Sequence, residues 1–298
     1  MFPPNLISSS FNEQARMIRT LSETEFRILD GLRTYRYLTA KQMLRLGATK
    51  NQSRLYTVLR GLTGGKRPYV GVMKHGILPG HGRLPHCHYL TRRGASLLAD
   101  ALQIDASEVP YPKSAAPIRT HFFHRLHCVD CEISVRLWCA EHGVNVDYYY
   151  SYFDVTGANR SKTKAPRRAL TKIDLNNGNA IIPDAVFQLA WPTGEVRLFI
   201  LEMHNQNRTK RIHDKLAEYR FAIGEGAINR QFHYKHAPRV LAVFENEKFL
   251  ELARKRMAES GVFDKDFAPF FFLGTLEGIA REFQKGWGQI CSREIVIF

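Results

Sequence analysis

"IIPDAVFQLAWPTGEVRLFILEMHNQN", residues 181–207, sets two acids, Asp184 and Glu202, inside runs that otherwise read as buried strand. Residues 181–190 and 196–203 are apolar or alternating, the pattern of two strands. Between them lies Trp191-Pro192-Thr193-Gly194-Glu195, a turn with glycine where a left-handed residue is wanted. If Pro192 to Gly194 form a three-residue loop, Trp191 faces Glu195 and cross-strand partners carry numbers that add to 386. Asp184 and Glu202 meet that condition, so they face each other with Cβ atoms roughly 5 Å apart. Two like charges so placed are unfavourable unless a cation sits between them. The spacing points to a metal site, and hard carboxylate oxygens suit Mn2+ or Mg2+. His204, two residues beyond Glu202, falls on the same face. It is read either as a further ligand or as the group that orients or deprotonates a nucleophile.

Upstream, "HFFHRLHCVDCEISVRLWCAEHG" reads as a helix with Phe122, Leu126, Val129, Ile133 and Leu137 in one stripe. Asp130 falls about 40° from Leu126 on that helix, where an acid needs a metal or a basic partner. His121, His124, His127, Cys128 and Cys131 scatter round the remaining face and form no tidy ligand set. "NVDYYYSYFDV" reads as a strand, followed by a loop with six Lys or Arg between Arg160 and Lys172. That loop is either solvated or closes over nucleic acid. Downstream, a helix turns Ile212, Leu216, Tyr219 and Ile223 inward, and "PRVLAVFEN" and "APFFFLGTLEG" supply strands with a helix between them. This order predicts a mixed α/β sheet covered by helices.

The first hundred residues differ. Ser22-Glu-Thr-Glu25 and Thr39-Ala-Lys-Gln42 are capping boxes, and a third helix runs from about Gln52 to Leu62. Two short strands, "PYVGVM" and "HCHYL", flank a basic loop before a helix that begins at Thr91. Three helices followed by a two-stranded ribbon is the order of a winged helix-turn-helix. Its third helix presents Ser53, Arg54, Thr57 and Arg60 outward, preceded by Lys50, Asn51 and Gln52. Arg54 and Arg60 suit guanine edges or phosphates, and Asn51 or Gln52 suits adenine. A plain three-helix bundle with a solvated basic face fits the same pattern. His81, His86, Cys87 and His88 lack the second Cys pair of a zinc finger. "IDASEVPYPKSAAPIRT", with three prolines, divides the chain into residues 1–105, a linker at 106–119 and a second domain at 120–298.

Composition narrows the partners. Forty-three Lys and Arg against 28 Asp and Glu give a net charge of +15, which favours a polyanion, and duplex DNA over a membrane surface. No apolar run of about 18 residues appears, and "MFPPNLISSS" has neither the basic start nor the apolar stretch of a signal peptide. The expected location is cytoplasmic, and the five irregularly spaced cysteines are expected as free thiols.

The second domain resembles a PD-(D/E)xK nuclease core. Pro183-Asp184 matches the motif's PD, Glu202 its second acid, and His204 stands where the motif has lysine. Taken with "YLTRRGASLL", "HRLHCVDCEISV", "LFILEMH" and "KLAEYRF", the chain resembles the plasmid replication–relaxation family, which includes MobC-type relaxases, over roughly Leu21 to Phe244. The resemblance implies a winged helix-turn-helix followed by a restriction-endonuclease-like core. It implies a metal-dependent endonuclease or relaxase that nicks one DNA strand at a transfer origin, with accessory mobilisation or coupling proteins as partners. Catalysis would fall to Asp184, Glu202 and His204, with Lys215 (or Arg208) replacing the missing lysine. The metal would sit on Asp184, Glu202 and Asp130, with His124 as an accessory group. Tyr148, Tyr149, Tyr150, Tyr152 and Tyr219 are alternative nucleophiles for a transesterification. Other members are replication or regulatory proteins, so an inactive DNA-binding replication or transcription regulator is the alternative reading.

Overall fold

Four side-chain caps fix where the N-terminal helices begin. Ser22 and Thr39 each accept the backbone N–H three residues on, and their own N–H groups donate to Glu25 and Gln42. These reciprocal boxes open α1 (Glu23–Tyr35) and α2 (Ala40–Arg45), with β1 (Leu38–Thr39) between them. Asn51 caps α3 (Gln52–Thr63). Four strands follow, β2 (Val70–Met73), β3 (Ile77–Leu78), β4 (Gly82–Arg83) and β5 (Cys87–Leu90). Thr91 then caps α4 (Arg92–Leu102).

The computed structural model describes residues 20–78, 80, 82–112, 122–156, 167–205, 208–290 and 297. The chain divides into two compact units, Met1–Arg119 and Thr120–Phe298. In the first unit β5 is the middle strand of a three-stranded antiparallel sheet, order β1-β5-β2. The strands β3 and β4 form a separate short ladder inside the basic loop, with Ile77 exposed at its start. Ile28, Leu29 and Leu32 of α1, Leu55, Leu59 and Leu62 of α3, and Leu98 of α4 are buried.

The second unit opens with α5 (Phe122–His142), then β6 (Asn145–Ser151), β7 (Val155–Thr156), β8 (Arg168–Ala169), β9 (Ile173–Asp174) and β10 (Ala180–Ile181). Next come β11 (Ala185–Ala190), β12 (Val196–His204), α6 (Thr209–Gly224) and α7 (Ala227–Phe232). The chain continues through β13 (Arg239–Phe244), α8 (Glu247–Glu259), β14 (Phe271–Thr275), α9 (Leu276–Arg281) and β15 (Trp287–Gln289). Six strands form one mixed sheet in the order β15-β14-β13-β12-β11-β6. Its centre, β12-β13-β14, is parallel, and both margins are antiparallel. Helices cover both faces. Leu216 and Tyr219 of α6 and Leu250 and Met257 of α8 pack with Leu198, Ile200 and Val240 on one side. On the other, Cys131, Val135 and Trp138 of α5 and Ile279 of α9 pack with Phe199, Leu201 and Leu241. Alternate residues of β12 therefore enter opposite cores. Among the described residues no helix is long and apolar enough to cross a membrane.

One expectation is corrected. The face of α5 against the sheet is Cys128, Cys131, Val135, Trp138 and Cys139, whereas Leu137, assigned inward, is 39% exposed. Phe122, Val129 and Ile133 of the expected stripe are buried as read, and buried cysteines and tryptophan widen the covered face beyond it. The basic loop lies mostly outside the described residues, but its end is engaged: Arg168 and Lys172 pair with Asp174 at 3.0 and 2.8 Å.

Candidate active site

The β11–β12 register is the one the three-residue loop dictates. Every rung from Ala185↔Leu201 to Ala190↔Val196 adds to 386. The Trp191 N–H donates to the Glu195 carbonyl at 2.8 Å, and Gly194 takes φ 86°. The ladder stops at Ala185, while β12 runs on to His204 beside β13. Proline at 183 has no N–H to continue it. Asp184 takes over one freed group: its Oδ2 accepts the Met203 backbone N–H at 2.8 Å. Its Oδ1 lies 2.9 Å from Nε2 of His124, which α5 supplies.

Glu202 shares its strand face with Leu198 and Ile200 and so points toward α6. The Tyr219 hydroxyl donates to Glu202 Oε1, and Lys215 Nζ stands 3.2 Å from the same oxygen. Lys215 also donates to the Ile182 carbonyl at 3.1 Å. One helix of the α6 side thus serves Glu202, and one helix of the α5 side serves Asp184. Both acids, with His204 and Lys215, line a cavity of about 370 Å³, joined there by His124, Tyr152 and Arg211. His204 is buried, with its ring edge-on to Phe244.

The electrostatics follow from this crowding. Burial, then the charge of Asp184, pushes Glu202 well above the usual carboxylate range, against Lys215 and Tyr219, which oppose the shift. For His124 burial is the largest influence and disfavours the charged ring. The hydrogen bond to Asp184 and the charges of Asp184 and Glu202 together outweigh it, so His124 is raised above its ordinary value. Of the five tyrosines, Tyr152 lines the cavity while Tyr219 is fully buried against Glu202. Burial pushes both phenols up.

Asp130 is not brought here. It lies about 120° round α5 from His124 and is not among the cavity residues. In its place Cys128, one helical turn after His124, approaches His124 Nε2 with its Sγ at 3.8 Å. Arg211 is a site residue that the sequence reading left out, and Cys128, which it set among scattered residues, is buried beside His124 and Asp184. The spacing of His124 and Cys128 was visible in the sequence, but their meeting with Asp184 depends on the phase of α5. Arg208 lies beyond the cavity, in a neighbouring groove over α6.

In the first unit, Lys50, Asn51, Gln52, Ser53, Arg54, Thr57 and Arg60 are all exposed, opposite buried Leu55, Leu59 and Leu62. Two are already engaged within the helix. Asn51 Oδ1 accepts the Arg54 N–H at 2.9 Å as the cap, which occupies one of its two lone pairs and holds the side chain against the helix. Thr57 donates to the Ser53 carbonyl at 3.0 Å. Tyr56, not singled out in the sequence, is 47% exposed on the same helix. Cys87 and His88 are buried in the sheet, and His88 Nδ1 faces the Leu38 carbonyl at 3.3 Å. His81 lies outside the described residues. Comparison with family models, curated proteins and solved structures finds no match to this chain.

Proposed function

We propose that this chain is a divalent-metal-dependent DNA nuclease that nicks one strand of duplex DNA. In this reading its second unit is a PD-(D/E)xK core, its first unit a winged helix-turn-helix, and its kinship lies with MobC-type relaxases of the plasmid replication–relaxation family. The observation that carries the proposal is the convergence of Asp184, Glu202 and Lys215 on one buried-sided cavity at the end of a hairpin. A structural core gains nothing from two buried acids whose charges oppose each other. A site for a cation and a phosphate gains both ligands from them.

The donor chemistry fits Mg2+ or Mn2+: Asp184 and Glu202 would hold the ion through hard carboxylate oxygens, and its two positive charges would offset the repulsion between the acids. When bound, such an ion polarises a phosphate oxygen and makes water more acidic. Lys215 contributes what the motif's lysine would, a positive charge beside Glu202 delivered from α6 instead of from β12. Arg211 adds a second cation to the cavity wall. Asp184 orients the His124 ring, so that an imidazole beside the acids could carry a proton for the oxygen that leaves the phosphorus. His204 is positioned to orient an attacking oxygen from the same face as Glu202. In the first unit, α3 offers its exposed Arg54 and Arg60 to the major groove and backbone.

The test is nicking of supercoiled plasmid that carries the protein's own transfer origin, in Mg2+ or Mn2+ with an EDTA control. Asp184→Ala and Glu202→Ala are expected to fold, to bind DNA, and to lose nicking by at least about a thousand-fold. Lys215→Ala is expected to lose less. A wild type that does not nick, or Asp184→Ala that nicks equally well, replaces this reading with that of a DNA-binding replication or transcription regulator.

A further inference from the structure

Beside the cavity stands a second set of ligand atoms of a different chemical class, two of whose residues, His124 and Asp184, line it. His124 and Cys128 stand one turn apart on α5, so both side chains leave the helix on one face. His124 Nε2 lies 2.9 Å from Asp184 Oδ1 and 3.8 Å from Cys128 Sγ. The three atoms all fall within 4.8 Å of one another. In a tetrahedral zinc site, bonds of roughly 2.0 to 2.3 Å put neighbouring ligand atoms roughly 3.3 to 3.6 Å apart. Small side-chain rotations convert the observed triangle into such a set.

We infer that His124, Cys128 and Asp184 form a site for a thiophilic divalent ion of the Zn2+ class, separate in kind from the Asp184–Glu202 pair. Thiolate, imidazole and one carboxylate favour zinc, cobalt or cadmium over Mg2+, which prefers oxygen alone. Three protein ligands leave a fourth position, as in zinc sites open to water or substrate. Access is open: Cys128 is only 5% exposed, yet the side chain of His124 is 27% exposed and faces the cavity, which supplies an entry path. Binding releases the Cys128 thiol proton, so the ion sits on a thiolate and a carboxylate with a neutral imidazole.

Asp184 belongs to both sets, and one carboxylate cannot serve two competing ions equally. Where the nuclease reading holds, on which this consequence alone rests, a thiophilic ion withdraws Asp184 from Glu202. Zn2+ would then inhibit nicking supported by Mg2+.

The experiment is a Co2+ titration of the reduced, metal-free full chain, followed by absorption. The wild type is expected to bind one equivalent with a near-ultraviolet thiolate-to-cobalt charge-transfer band, and added Zn2+ is expected to erase it. Cys128→Ser should lose the band. Loss of a ligand should weaken Co2+ binding beyond the roughly 10- to 100-fold that an outer-shell partner costs. His124→Gln, at a less buried position, should weaken binding similarly, and circular dichroism melts of both variants check that they fold. A wild type with no charge-transfer band, or Cys128→Ser with the same band, overturns the inference. Neither result depends on DNA: a positive titration beside absent nicking removes the nuclease reading and leaves this site standing.

Discussion

Glu202 is a carboxylate whose surroundings favour its neutral form. It is 5% exposed, and burial together with Asp184 outweighs the help it receives from Lys215 and Tyr219. Because its folded pKa lies above the unfolded value, the folded protein holds the proton more tightly. The stability that protonated Glu202 contributes is then fully present below the unfolded carboxylate pKa of about 4 and is lost as pH rises through the folded value. Glu202→Gln keeps the shape and removes the titration. In metal-free buffer it is expected to be more stable than the wild type by about 1 to 3 kcal/mol at pH 8, with the difference vanishing near pH 4. Paired thermal melts at the two pH values check this, and a variant less stable at pH 8 would contradict it. The same substitution should abolish nicking, the exchange of stability for activity expected of a site built on opposed charges. This pair of acids was legible in the sequence because a glycine-bearing three-residue loop fixes the register for the whole hairpin. Cys128 was not. Its contact with His124 and Asp184 spans 56 residues of chain and depends on how α5 rotates against the sheet.

At the scale of elements, α3 separates a folding role from the binding role proposed for it along one exposed face. Asn51 caps the helix through its Oδ1, while Arg54 offers its backbone N–H to that cap and leaves its guanidinium exposed. Asn51→Ala is expected to cost about 1 kcal/mol of stability. Arg54→Ala should leave stability within about 0.5 kcal/mol yet weaken specific duplex binding by about 1 to 3 kcal/mol, if the side chain reads a base edge. Urea melts and fluorescence anisotropy on the two variants separate these effects. Arg54→Ala that binds as tightly as wild type would argue that this face only solvates the helix. The starts of α1, α2 and α4 follow residues marked in the sequence, Ser22, Thr39 and Thr91, since each cap is a local hydrogen bond, whereas the Asn51 cap of α3 reads in the sequence as a base contact. The two-residue ladders β7–β8 and β9–β10 carry no such local mark. In α5 the stripe located Phe122, Val129 and Ile133 but missed the three cysteines and the tryptophan that extend the buried face.

Across the whole molecule the dominant property is the charge of +15, and its distribution yields a test that no single site does. Arg208, Lys210, Arg211 and Arg256 line a groove of about 640 Å³ over α6 and α8, with Asp214 and Glu218 the acids beside them. Arg211 and Lys215 border both this groove and the cavity that holds Asp184 and Glu202. A phosphate backbone that enters the cavity would therefore continue along the groove. Lys210 is held by Asp214, which leaves Arg208 and Arg256 as the cations to test. Each phosphate neutralised on duplex DNA contributes about 0.9 to the slope of log affinity against log salt. Arg208→Ala with Arg256→Ala should thus flatten that slope by about 2 in the full chain and weaken binding uniformly across DNA sequences. Arg54→Ala, by contrast, should lower discrimination between sequences. Combining all three substitutions should add the two effects, because the sites share no residue. Affinities measured at several salt concentrations, on a cognate and an unrelated duplex, decide it. An unchanged slope in the double variant would mean that DNA does not follow α6, and would remove the groove from the path that leads to the acids.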